Sequence, residues 1–149
     1  SWFNKEKDLW EIPAQTTGLK NLKENTGKEL NHLIPSTPEL AELMNKVHAI
    51  TGWQKYVFLG DKQTHLHEET INKFLKRIDA RQSAHGWRSV FTEGCQENKF
   101  SWDIVQRCLG HREHKQGTRG HYDHSVLLDQ RRSLMEFWTK TLVDKGLTI

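Results

Sequence analysis

Apolar residues recur every three or four positions over much of the chain, which is the spacing of amphipathic helices. The first predicted helix starts at residues 36–39, where a hydroxyl cap, an early proline and an acidic residue occur together, and stops at Gly52. Beyond it, Tyr56 to Leu59 predict a short buried strand or an extended turn. Three further helices are predicted over residues 68–80, 85–97 and 102–109. The last of these is bounded by a cap at Ser101 and by Gly110, where the chain can leave the helix.

A final helix is predicted near the C-terminus, after a loop over residues 111–121 that shows no periodicity. Ser125 is the candidate cap of this helix. Its apolar side comprises Val126, Leu127, Leu134, Met135, Trp138 and Leu142. Trp87, Trp102 and Trp138 stand at helical positions among apolar neighbours, so we expect them in the core and not on a surface that stacks on bases.

Alternating apolar and polar residues near the N-terminus predict strands instead. Leu9 to Pro13 form the first strand, Leu30 to Ile34 the returning one, and Asn25-Thr26-Gly27 the turn between them. We therefore expect a β-hairpin over residues 8–35 and a mainly helical region over residues 36–149. The predicted fold class is α+β and mostly α, with a small antiparallel sheet near the N-terminal end.

The composition of the 149 residues fits one folded domain. Hydrophobic residues make up only 35%, but six Trp and six Phe supply large buried areas. The chain starts at Ser1 without an initiator Met, so we expect a single, N-terminally truncated domain over residues 1–149. Cys95 and Cys108 lack C-x-x-C spacing and no apolar run is long enough for a membrane span, which favours reduced, partly buried thiols in a cytoplasmic protein. The net charge of +3 permits an anionic partner without requiring one.

Four residues, in order along the chain, indicate chemistry on a phosphodiester. His85 and Arg88, three positions apart on a predicted helix, project from the same face, and an arginine fork matches two phosphate oxygens. His111 follows a helix end, where a loop can aim it into the same site. Tyr122 lies eleven residues later and is a candidate nucleophile, if the site removes the proton of a phenol whose pKa is about 10. Cationic side chains around the phosphate would stabilise the transition state without a metal.

Each of these residues also has a more ordinary interpretation. His85 and Arg88 alone fit a surface pair on a helix, and Tyr122 alone fits a half-buried aromatic with a satisfied hydroxyl. Arg131 and Arg132 fit either contacts with a DNA backbone or a solvated helix face. A zinc site, although such sites usually include cysteine, would need two histidine pairs, His111 with His114 and His121 with His124.

The ordered set of residues resembles the tyrosine recombinases, the family that includes phage integrases. Residues 85–91 resemble the H-x-x-R box of that family, and residues 109–111 resemble its later L-G-H box. The 23-residue step from Arg88 to His111 suits the family, and Tyr122 stands where the nucleophile is expected. Further similarity to the two arms of the family's hairpin, its next short strand and its closing helix extends over residues 9–14, 32–35, 56–58 and 129–138. The resemblance therefore covers nearly the whole chain.

The resemblance implies a role for each residue of the set. Arg88 and His85 would bind the scissile phosphate, and His111 would hydrogen-bond the same phosphate. Tyr122 would attack it, forming a 3′-phosphotyrosine link and releasing a 5′-hydroxyl, and a second DNA end would reverse the step.

The resemblance also implies a general acid, and in one respect this sequence departs from the family's pattern. The family uses a hairpin lysine, and because this hairpin is long, alignments from its two arms disagree. Counting to the middle of the hairpin favours Lys23, just before the Asn25-Thr26-Gly27 turn, with Lys28 as the runner-up and Lys20 as a third candidate. The family's first catalytic arginine lies on a helix before the hairpin, and here no arginine precedes Arg77. We therefore expect this fragment to have little or no recombinase activity by itself.

Double-stranded DNA at attachment sites is the implied partner, bound by a tetramer of the full-length protein of a prophage or similar mobile element. No cofactor, metal, membrane or small-molecule substrate is expected. Three alternatives stay open at this point. A DNA-binding or regulatory module would keep the fold without the chemistry, a histidine-rich protein would bind metal, and a type IB topoisomerase would share the chemistry but not the closing helix.

Overall fold

The computed structural model describes residues 3–4, 6–13, 31–60, 64–67, 69–111 and 127–148. Within them it has five α-helices and one three-stranded sheet, so the expected fold class, α+β and mostly α, is confirmed. The strands are β1 (Phe3–Asn4), β2 (Leu9–Ile12) and β3 (His32–Pro35). The helices are α1 (Pro38–Thr51), α2 (Glu69–Ile78), α3 (Ala84–Glu97), α4 (Trp102–Cys108) and α5 (Leu128–Asp144).

The sheet is antiparallel, with the strands in the order β1-β2-β3. β2 and β3 are the two predicted hairpin arms, and they pair so that Leu9 lies opposite Pro35. Residues 14–30, which join these arms, lie outside the described residues. The sequence did not predict β1, because two residues are too few for a periodic signal. This strand pairs with β2, where the Phe3 ring packs on Trp10 with ring centroids 5.1 Å apart.

Backbone contacts divide the chain into two compact units, and the division falls within α3. The sheet unit contains residues 1–37 and 94–148, and the helix unit contains residues 38–93. In the sheet unit, α5 packs against α4 and against β3. The buried apolar side chains of this unit come from β2, α3, α4 and α5 and include Leu9, Cys95, Ile104, Val105 and Leu134.

Two consecutive arginines fasten α5 to the sheet. Arg131 is only 2% exposed and donates from its guanidinium to the carbonyl oxygen of Leu33 in β3. Arg132 donates to the carbonyl oxygens of Ser36 and Lys7, at 3.3 and 3.1 Å. For Arg131 both predicted roles, a DNA-backbone contact and a solvated helix face, are wrong, because its side chain is buried. Its guanidinium satisfies a strand carbonyl instead.

The helix unit leaves many of its apolar side chains at the surface. α1 begins with Pro38 in its first turn and ends just before Gly52, close to the predicted bounds, yet neither α1 nor α2 has a buried residue. The exposed large apolar residues of this unit are Leu43, Ile50, Trp53, Val57, Phe58, Ile71, Phe74, Ile78, Trp87 and Val90. The amphipathic pattern therefore predicted where the helices lie along the chain, but it did not predict how deeply they are buried.

The segment from Tyr56 to Leu59 is an extended turn and not a buried strand. Its backbone bends, and Leu59 alone pairs, in an isolated antiparallel bridge with His65. Val57 and Phe58 are 42% and 59% exposed. A single bridge closes a turn but offers no neighbouring strand on which a run of apolar residues could be covered.

Trp87 and Trp102, which the sequence placed in the core, are 45% and 57% exposed. Trp102 is the first residue of α4 and stands ahead of the buried Ile104 and Val105, so it lies at the exposed start of the helix. Trp138 of α5 is half-buried, closer to its predicted place.

The predicted serine cap of α4 is confirmed. The hydroxyl oxygen of Ser101 accepts the backbone N–H of Ile104 at 3.4 Å at the start of α4. The predicted cap of α5, Ser125, lies outside the described residues, and Leu127 at the N-cap position of this helix makes no side-chain cap hydrogen bond.

Candidate active site

The start of α3 carries the first two predicted site residues, His85 and Arg88. The hydroxyl of Ser83 accepts the backbone N–H of Gly86 at 3.0 Å, which satisfies one of the donors that a helix start leaves unpaired. His85 and Arg88 follow at helical positions and are both exposed. Because they are three residues apart, their side chains share one face of the helix, as predicted.

The electrostatics of this helix start favour an anion. The N-terminal end of a helix carries partial positive charge, and Arg88 adds a full positive charge within two turns of it. No acidic residue stands in the first turn of α3. A guanidinium and an imidazole on one face of a helix start can therefore bind an anion such as a phosphate.

His111 is placed by the way α4 ends. Gly110 adopts a left-handed backbone with φ of 69°, a conformation that glycine reaches without a steric penalty. Its N–H donates to the carbonyl of Arg107 at 3.2 Å, and the N–H of His111 donates to the carbonyl of Gln106 at 3.0 Å. This pair of bonds is the Schellman motif, in which glycine reverses the chain at a helix end. The L-G-H sequence is therefore a helix stop, and it sets the position of His111.

The side chains of His111 and Gln106 also meet. The Nδ1 atom of His111 lies 2.5 Å from Oε1 of Gln106, within hydrogen-bonding distance. The imidazole is exposed, whereas Gln106 is half-buried on α4. Sequence reasoning missed Gln106, although the signal was present as a five-residue spacing across a glycine that ends a helix.

The structure locates only part of the predicted set. His85 and Arg88 lie in the helix unit and His111 in the sheet unit, each on the element expected for it. The remaining predicted site residues, Tyr122, Lys23, Lys28 and Lys20, lie outside the described residues.

Polar side chains near the C-terminal end of α4 meet Arg131 of α5. Arg131 lies beside Cys108, and Arg107, 7% exposed, pairs with Asp103 at 3.1 Å. Burial raises the pKa of the Cys108 thiol, and the neighbouring Arg131 guanidinium offsets part of that shift. Burial likewise lowers the pKa of Arg131. Cys108 therefore stays a neutral thiol at physiological pH. Both cysteines are free, with Cys95 buried and Cys108 half-buried, which confirms the predicted partial burial of the thiols.

The described residues contain no group of three or more His, Cys, Asp or Glu side chains that could hold a metal ion. Of the four histidines in the zinc interpretation, only His111 is described, while His114, His121 and His124 lie in the range 112–126. Among the helices of the described ranges, none is both long and apolar enough to cross a membrane.

Comparison with known proteins points to one class, the integrases of phages and prophages. Several curated integrases are 26% to 29% identical to this chain over most of its length, which confirms the predicted resemblance to the phage integrase family. The integrase of Enterobacteria phage P4 is 29% identical over 151 residues, covering 94% of this chain and 34% of the relative.

Two further relatives extend the comparison. The prophage integrase IntS of Escherichia coli K12 and the integrase of Shigella phage Sf6 are each 29% identical over 119 residues, covering 76% of this chain. The chain spans about a third of the length of the curated relatives it matches. No family model and no solved structure matches it.

Proposed function

We propose that residues 1–149 form the catalytic domain of a site-specific DNA recombinase that cleaves DNA with Tyr122. The observation that carries the proposal is the placement of His111 by the helix stop at Gly110, in a chain similar to phage integrases over most of its length. A histidine held at the end of a helix that is anchored in the core is already in position to contact a phosphate, whereas a histidine on an unanchored loop has to be ordered first.

In the proposed reaction the phenol oxygen of Tyr122 attacks the scissile phosphorus. The bond from phosphorus to the 5′-oxygen breaks, so a 3′-phosphotyrosine forms and a 5′-hydroxyl leaves. The phenol gives up its proton to a histidine imidazole of the site, and a lysine, Lys23 or else Lys28, gives one to the departing 5′-oxygen. The hydroxyl of a second DNA end then attacks the phosphotyrosine and restores the phosphodiester. Its proton passes to the lysine, and the imidazole returns a proton to the released tyrosine.

His85, Arg88 and His111 would stabilise the charge on the phosphate during both steps. The exposed pair at the start of α3 supports this role, because a guanidinium and an imidazole there share a face with no acidic residue in the first turn. The partner is double-stranded DNA at attachment sites, contacted mainly through its phosphates, and the active assembly is a tetramer of the full-length protein.

The test compares two tyrosine variants of the full-length integrase on DNA that spans the ends of its element, nicked so that the covalent complex is trapped. Tyr122→Phe is expected to abolish the protein–DNA adduct on a denaturing gel while DNA binding stays within about twofold. Tyr56→Phe is the matched control, because Tyr56 is the only other tyrosine of these 149 residues, and it is expected to keep the adduct. An adduct or strand exchange that survives Tyr122→Phe would disprove the assignment.

We further propose that the 149 residues alone form little covalent complex, since no arginine precedes Arg77 to complete the set of phosphate ligands. Trapping on the same nicked DNA checks this by comparing the isolated chain with the full-length protein. An adduct yield from the isolated chain that matches the full-length protein would contradict it.

A further inference from the structure

The contact between Gln106 and His111 exists only because α4 stops between them. Residues five apart on a continuous helix point to sides about 140° apart and do not meet. Here the left-handed Gly110 turns the chain back, so the N–H of His111 reaches the Gln106 carbonyl at 3.0 Å and the ring reaches the Gln106 amide at 2.5 Å. Two bonds, one from the backbone and one from the side chain, thus join the same two residues.

We propose that Gln106 is a positioning residue that holds the imidazole of His111 by Nδ1 and presents Nε2 to the DNA phosphate. The inference rests on the proposed function, because it concerns the histidine of that site. An amide oxygen can only accept a hydrogen bond, so Nδ1 facing Oε1 carries the hydrogen. The phosphate then has to be contacted through Nε2.

This arrangement keeps the ring in place through a change of protonation. Nδ1–H donates to Oε1 whether His111 is neutral or cationic, so Gln106 need not move when Nε2 gains or loses a proton. The opposite amide orientation, with its NH2 toward Nδ1, would suit only the neutral ring. The amide therefore fixes both the orientation of the ring and the nitrogen that stays protonated.

The position of Gln106 supports such a role. It stands on α4 between Val105 and Arg107, both buried, so the backbone that carries the amide is anchored in the core of the sheet unit. The side chain itself is half-buried, which limits the directions that it can take. A residue that holds a phosphate ligand from a rigid helix contributes by preventing small misplacements, each of which slows a reaction by up to about a hundredfold.

The first measurement needs no variant. Nitrogen-15 NMR of His111 in the wild-type protein is expected to show the hydrogen on Nδ1. A neutral ring protonated on Nε2 would overturn the proposal, and because this readout does not depend on cleavage, it separates the inference from the proposed function.

The second measurement compares Gln106→Leu with Gln106→Glu in the full-length integrase. The Leu variant is expected to shift the hydrogen of His111 toward Nε2 and to slow adduct formation by about ten- to a hundredfold, with DNA affinity within about twofold. The Glu variant keeps an acceptor at the same place and is expected to restore the Nδ1–H signal and most of the rate. Gln130→Leu, on an exposed position of α5, is the matched control.

An unchanged His111 spectrum and cleavage rate in Gln106→Leu would refute the positioning role. The role would also be refuted if Gln106→Glu kept the Nδ1–H signal of His111 but formed the adduct as slowly as Gln106→Leu. Loss of the adduct in Tyr122→Phe, measured alongside, shows that the reaction being slowed is the tyrosine-dependent one.

Discussion

Gly94 of α3 lies directly against the indole of Trp138 in α5: a methyl group on Gly94 would come within 2.9 Å of the ring atom Cζ3. The indole lies so close to the backbone of α3 at this point that only a residue without a side chain fits. The ring contact of Phe100 with Phe137, whose centroids are 5.1 Å apart, lies next to it and belongs to the same packing of the sheet unit.

Gly94→Ala is expected to lower the free energy of unfolding by about 1–3 kcal/mol, because the added methyl overpacks the contact with Trp138. The sign is informative, since Gly→Ala on an open helix face usually stabilises by roughly 0.5–1 kcal/mol. Urea unfolding measures the change. Gly86→Ala in the same helix is the control, because its methyl would meet only the Ser83 hydroxyl, at 3.2 Å, and should cost far less. Equal effects of the two variants would contradict the packing argument.

Arg131→Ala is expected to destabilise the protein by about 2–4 kcal/mol, because it leaves the Leu33 carbonyl without its donor and opens a cavity between α5 and β3. Arg131→Lys should recover little, since an ammonium cannot reproduce the planar fork of a guanidinium. Thermal unfolding checks both variants. Arg77→Ala, on the exposed side of α2, should change the melting temperature little, and a comparable loss there would argue against a specific role for Arg131.

Gly110→Ala is expected to cost about 1–2 kcal/mol, the penalty of a left-handed backbone for a residue with a side chain. Gly110→Asn should cost less, because asparagine tolerates this conformation better. If His111 is placed by the helix stop, adduct formation by the full-length protein should fall in the same order, Ala below Asn below glycine. Wild-type cleavage by Gly110→Ala would show that His111 is positioned by other means.

The buried thiol of Cys95 predicts a loss of stability at alkaline pH. Burial, with a smaller contribution from Cys108, raises the pKa of Cys95 to about 11, from an ordinary value of 9.0. Because the pKa of Cys95 is raised in the folded state, the contribution of its neutral thiol to the free energy of unfolding is fully present below pH 9. This contribution is lost as the pH rises toward 11. At about 1.4 kcal/mol per pKa unit, the loss is on the order of 2–3 kcal/mol.

Urea midpoints of wild type and Cys95→Ala between pH 7 and pH 11 test this expectation. The variant should be less stable at pH 7, because it loses a buried side chain, but its stability should fall less steeply above pH 9. Parallel decreases in the two proteins would assign the alkaline loss to other groups.

Local signals carried most of what the sequence predicted correctly. Ser101 and Gly110 bound α4 because a hydroxyl cap and a left-handed glycine act on their immediate neighbours, and their effect can be read without knowing the rest of the fold. The hairpin arms β2 and β3 were also found, because alternation along a strand is a property of the strand itself.

Contacts between segments that are distant in the chain could not be predicted from the sequence. Whether Arg131 is buried depends on a carbonyl of Leu33, which is 98 residues away in the chain. The exposure of Trp102 likewise depends on where along α4 the core begins. The apolar character of Trp102 predicted burial, and the polar character of Arg131 predicted exposure. Both predictions were wrong, because burial depends on packing partners that the local sequence pattern does not encode.

The contact between Gln106 and His111 depends on the number of residues that separate them. One helical turn and one left-handed residue lie between the amide and the imidazole, so a single inserted residue would rotate the imidazole by about 100° around the helix axis. Engineered variants of this protein therefore have to keep the six-residue stretch from Gln106 to His111 at its present length.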